Sequence, residues 1–201
     1  MKRAQIRQNN REALITAAIT EIAAHGYQSA RLGDVADHAG LTTGAIYSIF
    51  GSKRALLIAA IHQMVAEYHE TMRPLADPAL TLDEVLRGYA DAVLDATGDT
   101  RAREYFAFEL ETLATALRDP QLMADVDAQV PSGLELLRAL LTDRVIDPPG
   151  DRGTTAEQAA RLAPAVHALV NGFAHRAVID PTEVDRADVI DALTALKTLV
   201  A

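Results

Sequence analysis

The chain has 201 residues, and its 19 basic and 28 acidic side chains give a formal net charge of −9 at pH 7. Hydrophobic residues make up 49% of the chain and charged residues 23%, which is typical of a globular protein and excludes a disordered or fibrous one. The lack of cysteine excludes disulfide frameworks, zinc ribbons, iron–sulfur clusters and thiol nucleophiles, and no apolar run approaches the roughly 20 residues of a membrane span, so we expect a cytoplasmic protein.

Charge is distributed unevenly along the chain. Residues 1–54 hold seven basic and four acidic residues, a net charge of +3, whereas the other 147 residues carry −12. A basic head on an acidic body is typical of a protein whose head binds a polyanion such as DNA. An excess of this size also arises by chance, so charge alone leaves both interpretations open.

The first predicted helix is marked by apolar residues at intervals of three and four, from Leu14 to Ala23. It ends near His25, where Gly26 stands in the position of a C-terminal cap. Two short helices follow over residues 31–39 and 43–50.

A long fourth helix is predicted from Lys53 to about Arg73, where Pro74 stops it, and it is long enough to link two domains. We find no convincing strand and no internal repeat, so the pattern predicts an all-α fold of about nine helices. The clearest break in the chain is the Pro- and Gly-rich loop at 147–153. The remaining helices are predicted over residues 82–96, 102–118, 121–146 with a kink at Pro131, 156–179 with a bend near Pro164, and 183–200.

The two short helices are joined by the turn Ala39-Gly40-Leu41-Thr42. Two such helices with a Gly-containing turn are typical of a helix-turn-helix, whose second helix enters the major groove of DNA. Thr42 is a suitable N-cap for that second helix. Similar helix pairs in other all-α proteins only pack a core, so the spacing alone leaves DNA binding open.

The residues around this turn sharpen the interpretation, because they resemble the DNA-binding head of the TetR family of bacterial transcriptional regulators. The resemblance extends from about Arg11 to Leu57, and it implies a three-helix head, a connecting fourth helix, and a body that binds a ligand and dimerises. We therefore divide the chain into a DNA-binding domain at 1–52 and an effector-binding and dimerisation domain at 53–201. The matching positions are Gly26-Tyr27, Val35-Ala36, Ala39-Gly40-Leu41-Thr42, Gly44, Ile46-Tyr47, Phe50, Ser52-Lys53 and Ala55-Leu56.

The second helix of the motif supplies the residues that we expect to meet DNA bases. Thr43, Gly44, Ala45 and Ser48 are short, so they allow the backbone to approach base edges closely. Thr43 and Ser48 can hydrogen-bond bases, and Ala45 can touch a thymine methyl group. Ile49 departs from the family pattern, which usually has an aromatic residue or His there, so that common contact is not carried over.

Four further residues are predicted to contact the DNA backbone. Thr42 combines a hydroxyl with a helix N-terminus, and both can bind a phosphate. The resemblance implies phosphate contacts for Tyr47 and Lys53. The alternatives are a buried aromatic for Tyr47, which is the less favoured reading there, and a solvated helix start for Lys53. Arg31 stands where the family usually has Ser or Thr, so a charged contact can replace a hydroxyl one.

The resemblance also implies a small-molecule effector bound among the helices of the body. Each candidate residue taken singly is more often a surface or a satisfied core residue. Arg103 and Glu109 are six residues apart and so do not share a helix face, which prevents us from predicting a joint chemistry for them. The candidates are His62, Tyr68, Tyr89, Arg103, Tyr105, Phe106, Glu109, His167 and Asn171.

The last two helices are predicted to form a homodimer interface. Small residues between Ala159 and Ala168 would allow helices to approach closely, and two helices from each protomer would make a four-helix bundle. An intrachain core would use the same residues. The helix-turn-helix favours the dimer, because such heads usually read two half-sites.

The function that follows is a DNA-binding regulator, most simply a repressor that binds a palindromic operator as a dimer and is released by an effector. We expect no catalytic residue, cofactor or metal, since the six His residues form no Glu-x-x-His or H-E-x-x-H pattern and no P-loop, G-x-S-x-G or G-x-G-x-x-G is present. Two alternatives remain, an all-helical enzyme and a dimeric adaptor that binds protein rather than DNA.

Overall fold

The computed structural model describes residues 2–127, 131–146 and 152–200. Within these ranges the chain forms ten α-helices, which confirms the predicted all-α fold. The β structure of the described residues is limited to one isolated antiparallel bridge between Val145 and Gly153. The helices are α1 (Lys2–His25), α2 (Leu32–His38), α3 (Thr43–Phe50), α4 (Lys53–Met72), α5 (Leu82–Thr97), α6 (Ala102–Arg118), α7 (Pro120–Asp127), α8 (Gly133–Leu141), α9 (Ala156–Ile179) and α10 (Arg186–Ala195).

Helix ends follow from the local sequence. Gly26 ends α1 and Gly51 ends α3 with φ of 78° and 83°, a left-handed conformation that glycine adopts without steric cost. At three helix starts the N-cap hydroxyl and the third residue of the helix satisfy each other's backbone N–H groups. These capping boxes pair Thr81 with Glu84 at α5, Ser132 with Glu135 at α8, and Thr155 with Gln158 at α9.

The prediction of a single helix over residues 121–146 is wrong, because the structure has two helices there, α7 and α8. Ser132 and Glu135 form a capping box, so a new helix begins after Pro131 instead of continuing through a kink. The chain leaves the helix after Leu141, and Asp143 has a φ of 58°. Residues 128–130, and 147–151 of the predicted loop, lie outside the described residues.

The last predicted helix, 183–200, is shorter than expected. The chain forms a 3-10 turn at Pro181–Glu183, then α10, then a second turn at Leu196–Leu199. Asp185 caps α10 by accepting a hydrogen bond from the Ala187 N–H, so the helix begins three residues later than predicted. The fourth helix likewise ends at Met72 and continues as a 3-10 turn over Arg73–Ala76 that includes Pro74.

By packing, the described chain divides into two compact units, and each is described by itself. One comprises Met1–Ala66 and Glu104–Val130, and the other comprises Glu67–Arg103 and Pro131–Ala201. The boundary predicted between residues 52 and 53 divides the chain by expected function rather than by packing, and it stays a prediction.

The first unit has one hydrophobic core, to which the apolar stripe of α1 contributes Leu14 and Ile15. Ile46 of α3 is fully buried in the same cluster. Phe108 of α6 and Leu122 of α7 also belong to it. The helix-turn-helix therefore shares its core with two helices that come more than 40 positions later in the chain.

The second unit is built from α5, α8, α9 and α10, with α9 packed on both α8 and α5 and with α10 packed on α5. Ion pairs tie α10 and the turn after it to α5. Arg186 pairs with Asp91 at 2.7 Å and with Asp95 at 2.5 Å, and Lys197 pairs with Asp83 at 2.8 Å.

Arg144 anchors the segment between α4 and α5 to the end of α8. Its side chain is buried and donates hydrogen bonds to backbone carbonyl groups rather than to a carboxylate. Nη2 donates to the Leu75 carbonyl at 2.9 Å, Nε donates to the Leu140 carbonyl at 2.6 Å, and Nη1 donates to the Asp77 carbonyl. A buried charge is tolerated where carbonyl dipoles satisfy its donors.

Candidate functional site

The recognition helix α3 is held by two features of its own sequence. Ile46 is fully buried in the core of the first unit, so the opposite side of the helix faces solvent. The Thr42 hydroxyl accepts a hydrogen bond from the Ala45 N–H at 3.3 Å, which confirms the predicted N-cap. The helix therefore begins at Thr43 with its first backbone N–H groups near the surface.

The residues predicted to meet DNA lie on the accessible side of this motif. The Tyr47 side chain is 56% exposed, so the alternative of a buried aromatic is wrong. Half-buried positions are occupied by Thr43 and Ala45, and Ile49 packs partly against the core of the unit. Exposed positions are occupied by Arg31, Thr42, Gly44, Tyr47 and Ser48.

Lys53 begins α4 and also holds the loop between α1 and α2. Its Nζ donates a hydrogen bond to the Gln28 carbonyl at 3.2 Å and lies 4.8 Å from the centroid of the Tyr27 ring. The ammonium group can attract the ring face electrostatically at this distance. Partial burial lowers the pKa of Lys53 from its ordinary value of 10.5.

Arg54, the next residue, binds two carboxylates that sequence reasoning did not single out. Its Nη2 lies 2.8 Å from Asp125 Oδ2, and its Nη1 donates to Asp119. The hydrogen bonds that Arg54 donates to Asp125 and then to Asp119 raise the pKa of Arg54 above its ordinary value. Arg54 is more than 60 positions away from either carboxylate in sequence, so no local spacing reveals the cluster.

Two further polar contacts join α6 to α1 and to the α1–α2 loop within the first unit. The Tyr27 N–H donates to Glu111 Oε1 at 3.0 Å, and the Thr20 hydroxyl donates to Glu104 Oε2 at 2.9 Å. These contacts do not follow from the local sequence either, because Glu104 and Glu111 resemble ordinary solvated residues of an amphipathic helix.

In the second unit, four of the predicted effector residues form a chain of polar contacts. Tyr68 donates to the Tyr89 hydroxyl at 3.2 Å, and Tyr89 Oη lies 3.3 Å from His167 Nδ1. Asn171 Nδ2 lies 3.1 Å from His167 Nε2. Gly133 opens α8 against the Tyr68 ring, where an added Cβ would lie 3.2 Å from Cε1. The polar chain, defined as Tyr68, Tyr89, His167 and Asn171, thus joins α4, α5 and α9.

Burial determines the charge state of this polar chain. Tyr89 is completely buried, and His167 is largely enclosed. Desolvation lowers the pKa of His167 from its ordinary value of 6.5, so its imidazole is neutral at pH 7. The polar chain therefore offers uncharged hydrogen-bond donors and acceptors rather than a fixed charge.

The other predicted effector residues have different surroundings. His62 Nε2 lies 3.2 Å from the Val126 carbonyl in the first unit. Arg103 is exposed at the start of α6 in the second unit. Half-buried positions on α6 in the first unit are occupied by Tyr105, Phe106 and Glu109.

The outer face of α9 bears small residues. Ala159 and Ala163, which were proposed for the interface between protomers, are buried within the second unit and belong to its own core. Ala168 and Gly172 are exposed, and a Cβ at Gly172 would meet nothing within 4 Å. Part of the predicted interface is therefore intrachain core, and a narrower strip of small residues stays accessible.

Among the described residues, no group of three or more Asp, Glu or His side chains could hold a metal ion. None of the described helices is alone long and apolar enough to cross a membrane. One bent pair, Thr43–Phe50 with Lys53–Ala76 at an angle of 72°, reaches the length and apolar composition of a membrane span, and on those two criteria only.

Solved structures with the same fold are similar along almost the whole chain. The multidrug binding protein EbrR, complexed with imidazole, is 23% identical with a TM-score of 0.66, over 92% of this chain and 93% of that one. A TetR-family member from Streptomyces coelicolor A3 is 22% identical with a TM-score of 0.70, over 93% and 97%. FadR from Bacillus subtilis, in complex with stearoyl-CoA, is 18% identical with a TM-score of 0.64, over 94% and 97%. No curated protein matches the sequence.

Two family models match the chain. Residues 14–60 match the model of bacterial regulatory proteins of the tetR family. Residues 82–199 match the C-terminal model of BetI-type transcriptional repressors, which covers more than half of the chain. With the capped recognition helix and the all-helical body, these matches show that the chain belongs to the TetR family of DNA-binding transcriptional regulators.

Proposed function

We propose that this regulator is a ligand-responsive repressor that binds a palindromic operator as a homodimer and leaves it when a small molecule binds the body. The observation that carries the proposal is the accessible face of α3, where exposed Tyr47 and Ser48 accompany a satisfied helix N-terminus at Thr42. Helix N-termini and hydroxyl groups bind phosphates, and short side chains allow access to base edges. The match of the body to a repressor model supports the direction of regulation.

The effector site that we propose is centred on the polar chain. Tyr89 and His167 lie inside the second unit, where a hydrogen-bonding ligand group would be shielded from water. Leu86 and Val93 lie on the same face of α5 as Tyr89 and supply apolar surface beside it. Because His167 is neutral, we expect an effector with an uncharged polar group and an apolar remainder.

Two structural relatives support a ligand-binding body of this kind. EbrR is a multidrug binding protein whose structure contains imidazole, and FadR from Bacillus subtilis binds stearoyl-CoA. Both ligands have an apolar or aromatic portion, although they differ greatly in size. The similarity to these two proteins extends to the fold of the body. The kind of ligand that we propose for this chain is therefore argued from its own residues.

A dimer would use the outer strip of α9. Ala168 and Gly172 are exposed there, and small residues let two helices approach closely. A two-fold dimer would place two recognition helices about 34–36 Å apart, or a multiple of that distance, for successive major grooves. An effector that favours another conformation of the body would disturb that spacing and compete with DNA thermodynamically.

The test begins with fluorescence anisotropy of the purified protein on duplexes that tile the DNA flanking its own gene, followed by selection from random duplexes. We expect saturable binding of two protomers to a near-palindromic site. Compounds are then screened for release of that duplex, and Tyr89→Phe is compared with wild type. The variant should bind DNA normally but respond to the effector at a several-fold higher concentration. A folded protein that selects no duplex would refute the proposal.

A further inference from the structure

Helices α6 and α7 contribute to the hydrophobic core of the first unit, together with the DNA-binding helices. Phe108 and Leu122 are each at most 1% exposed in the cluster that also contains Ile46 of the recognition helix. Two polar contacts accompany this packing, from the Tyr27 N–H to Glu111 and from the Thr20 hydroxyl to Glu104. The helix-turn-helix is therefore supported by helices outside its own sequence.

The most developed of these supports is the cluster of Arg54, Asp119 and Asp125. Arg54 Nη2 and Nε lie 2.8 and 3.1 Å from Asp125 Oδ2, and Nη1 donates to Asp119. Gln121 also donates a hydrogen bond to Asp125, at 3.0 Å, and so orients it. A planar guanidinium fork held by two carboxylates has a defined geometry that a single flexible ion pair lacks.

The position of Arg54 in the chain gives the cluster its importance. It is the second residue of α4, directly after Lys53, and only Gly51 and Ser52 separate α4 from the recognition helix. Ser52 caps α4 by accepting a hydrogen bond from the Ala55 N–H at 3.0 Å. Any shift of the first turn of α4 thus moves Lys53 and the end of α3 together.

We propose that Arg54, Asp119 and Asp125 form an ionic brace that positions the first turn of α4, and with it Lys53, for contact with the DNA backbone. The inference rests on the proposed DNA-binding function. The three are positioning residues, since their side chains bind one another rather than phosphate.

Removing the two carboxylates tests this proposal sharply. The brace predicts weaker DNA binding, whereas the change in net charge alone predicts stronger DNA binding. Asp119→Asn with Asp125→Asn removes two negative charges from a protein of formal charge −9 that binds a polyanion. Long-range attraction alone would then strengthen DNA binding. Loss of the brace would weaken it, because the first turn of α4 would no longer be held.

The experiment measures the Kd on the selected operator duplex, and its dependence on salt, for wild type, Asp119→Asn/Asp125→Asn and Arg54→Lys. Arg54→Lys keeps the charge but loses the guanidinium fork. We expect both variants to bind about tenfold more weakly, within the usual range of coupling between sites. Their salt slopes should flatten toward that expected for Lys53→Ala, because the phosphate contact of Lys53 weakens when the first turn of α4 is no longer held.

The matched control is Asp34→Asn/Asp37→Asn, which removes the same charge from exposed positions of α2 in the same unit. It should bind as tightly as wild type or more tightly. Circular dichroism and urea unfolding of each variant establish that weaker binding comes from folded protein. Brace variants that bind as well as wild type, or a control that is weakened equally, would overturn the brace while leaving the repressor intact. If wild type selects no duplex, both proposals fail.

Discussion

Lys53 and Arg54 are consecutive residues at the start of α4, yet their side chains hold different parts of the first unit. Lys53 donates to the Gln28 carbonyl at 3.2 Å, whereas Arg54 binds Asp125 at 2.8 Å. Successive residues of a helix point about 100° apart, so a single turn can contact both the α1–α2 loop and α7. The start of α4 is thereby fixed from two sides, next to α3, the helix that we propose reads DNA.

Lys53→Ala should weaken DNA binding on all sequences alike and flatten the salt slope by about one unit, because one phosphate contact is lost. The measurement is anisotropy over a series of salt concentrations on the operator and on an unrelated duplex. Lys197→Ala serves as the control, since that lysine pairs with Asp83 in the second unit and its loss removes the same charge. A salt slope equal to wild type would remove Lys53 from the phosphate contacts.

Thr43→Ala should change sequence preference rather than overall affinity, because a hydroxyl at the start of the recognition helix can hydrogen-bond a base. Parallel selections from randomised duplexes, for wild type and variant, would show relaxed preference at one position in each half-site. Thr42→Ala is the comparison. It loses the cap bond to Ala45 and should lower stability by about 1 kcal/mol. Identical preferences for Thr43→Ala and wild type would place base reading elsewhere on the helix.

Arg144→Met should lower the free energy of unfolding by about 3 kcal/mol, because several buried carbonyl groups lose a charged donor. The affected carbonyls include those of Leu75 and Leu140. Urea unfolding followed by circular dichroism gives the value. The exposed Arg138 on α8 is the control, and Arg138→Met should change stability by less than about 0.5 kcal/mol. Equal effects of the two substitutions would contradict an anchoring role for Arg144.

His167 should make the fold sensitive to acid. Desolvation lowers its pKa in the folded state below the ordinary 6.5, so the unfolded chain binds more protons once the pH falls below about 6.5. The free energy of unfolding should therefore decline as the pH is lowered from 7.5 to 5.5. That of the His167→Gln variant should decline less steeply. Urea titrations at both pH values test this, and parallel slopes for His167→Gln and wild type would contradict it.

Gly172→Arg should produce a monomer. Nothing lies within 4 Å of a Cβ at this position, so the folded chain accommodates a side chain there, and only a second copy packed on α9 would be hindered. Size-exclusion chromatography with light scattering gives the mass, and DNA binding should weaken strongly because one head then meets one half-site. Ala139→Arg, at an exposed position on α8, should remain dimeric. A dimeric Gly172→Arg would exclude this face of α9 from the interface.

Local sequence was enough to predict most of the helices and the helix-turn-helix. Gly26, Thr42 and the Thr81–Glu84 capping box act over a few residues, so helix ends follow from short-range hydrogen bonds and allowed φ values. The same logic failed around Pro131, where a kinked helix and a new capped helix give similar apolar patterns. Ser132 and Glu135 decide between them through a contact that the apolar pattern does not report.

Only the tertiary structure brought together Arg54 with Asp119 and Asp125, or Tyr89 with His167. These pairs are separated by more than 60 residues, and the pairing depends on how helices pack rather than on spacing along any one of them. Each of these side chains, considered in its own helix, is an ordinary charged or polar residue. Helix periodicity reports which face is buried, whereas packing of the whole unit selects the partner that a buried or half-buried polar group meets.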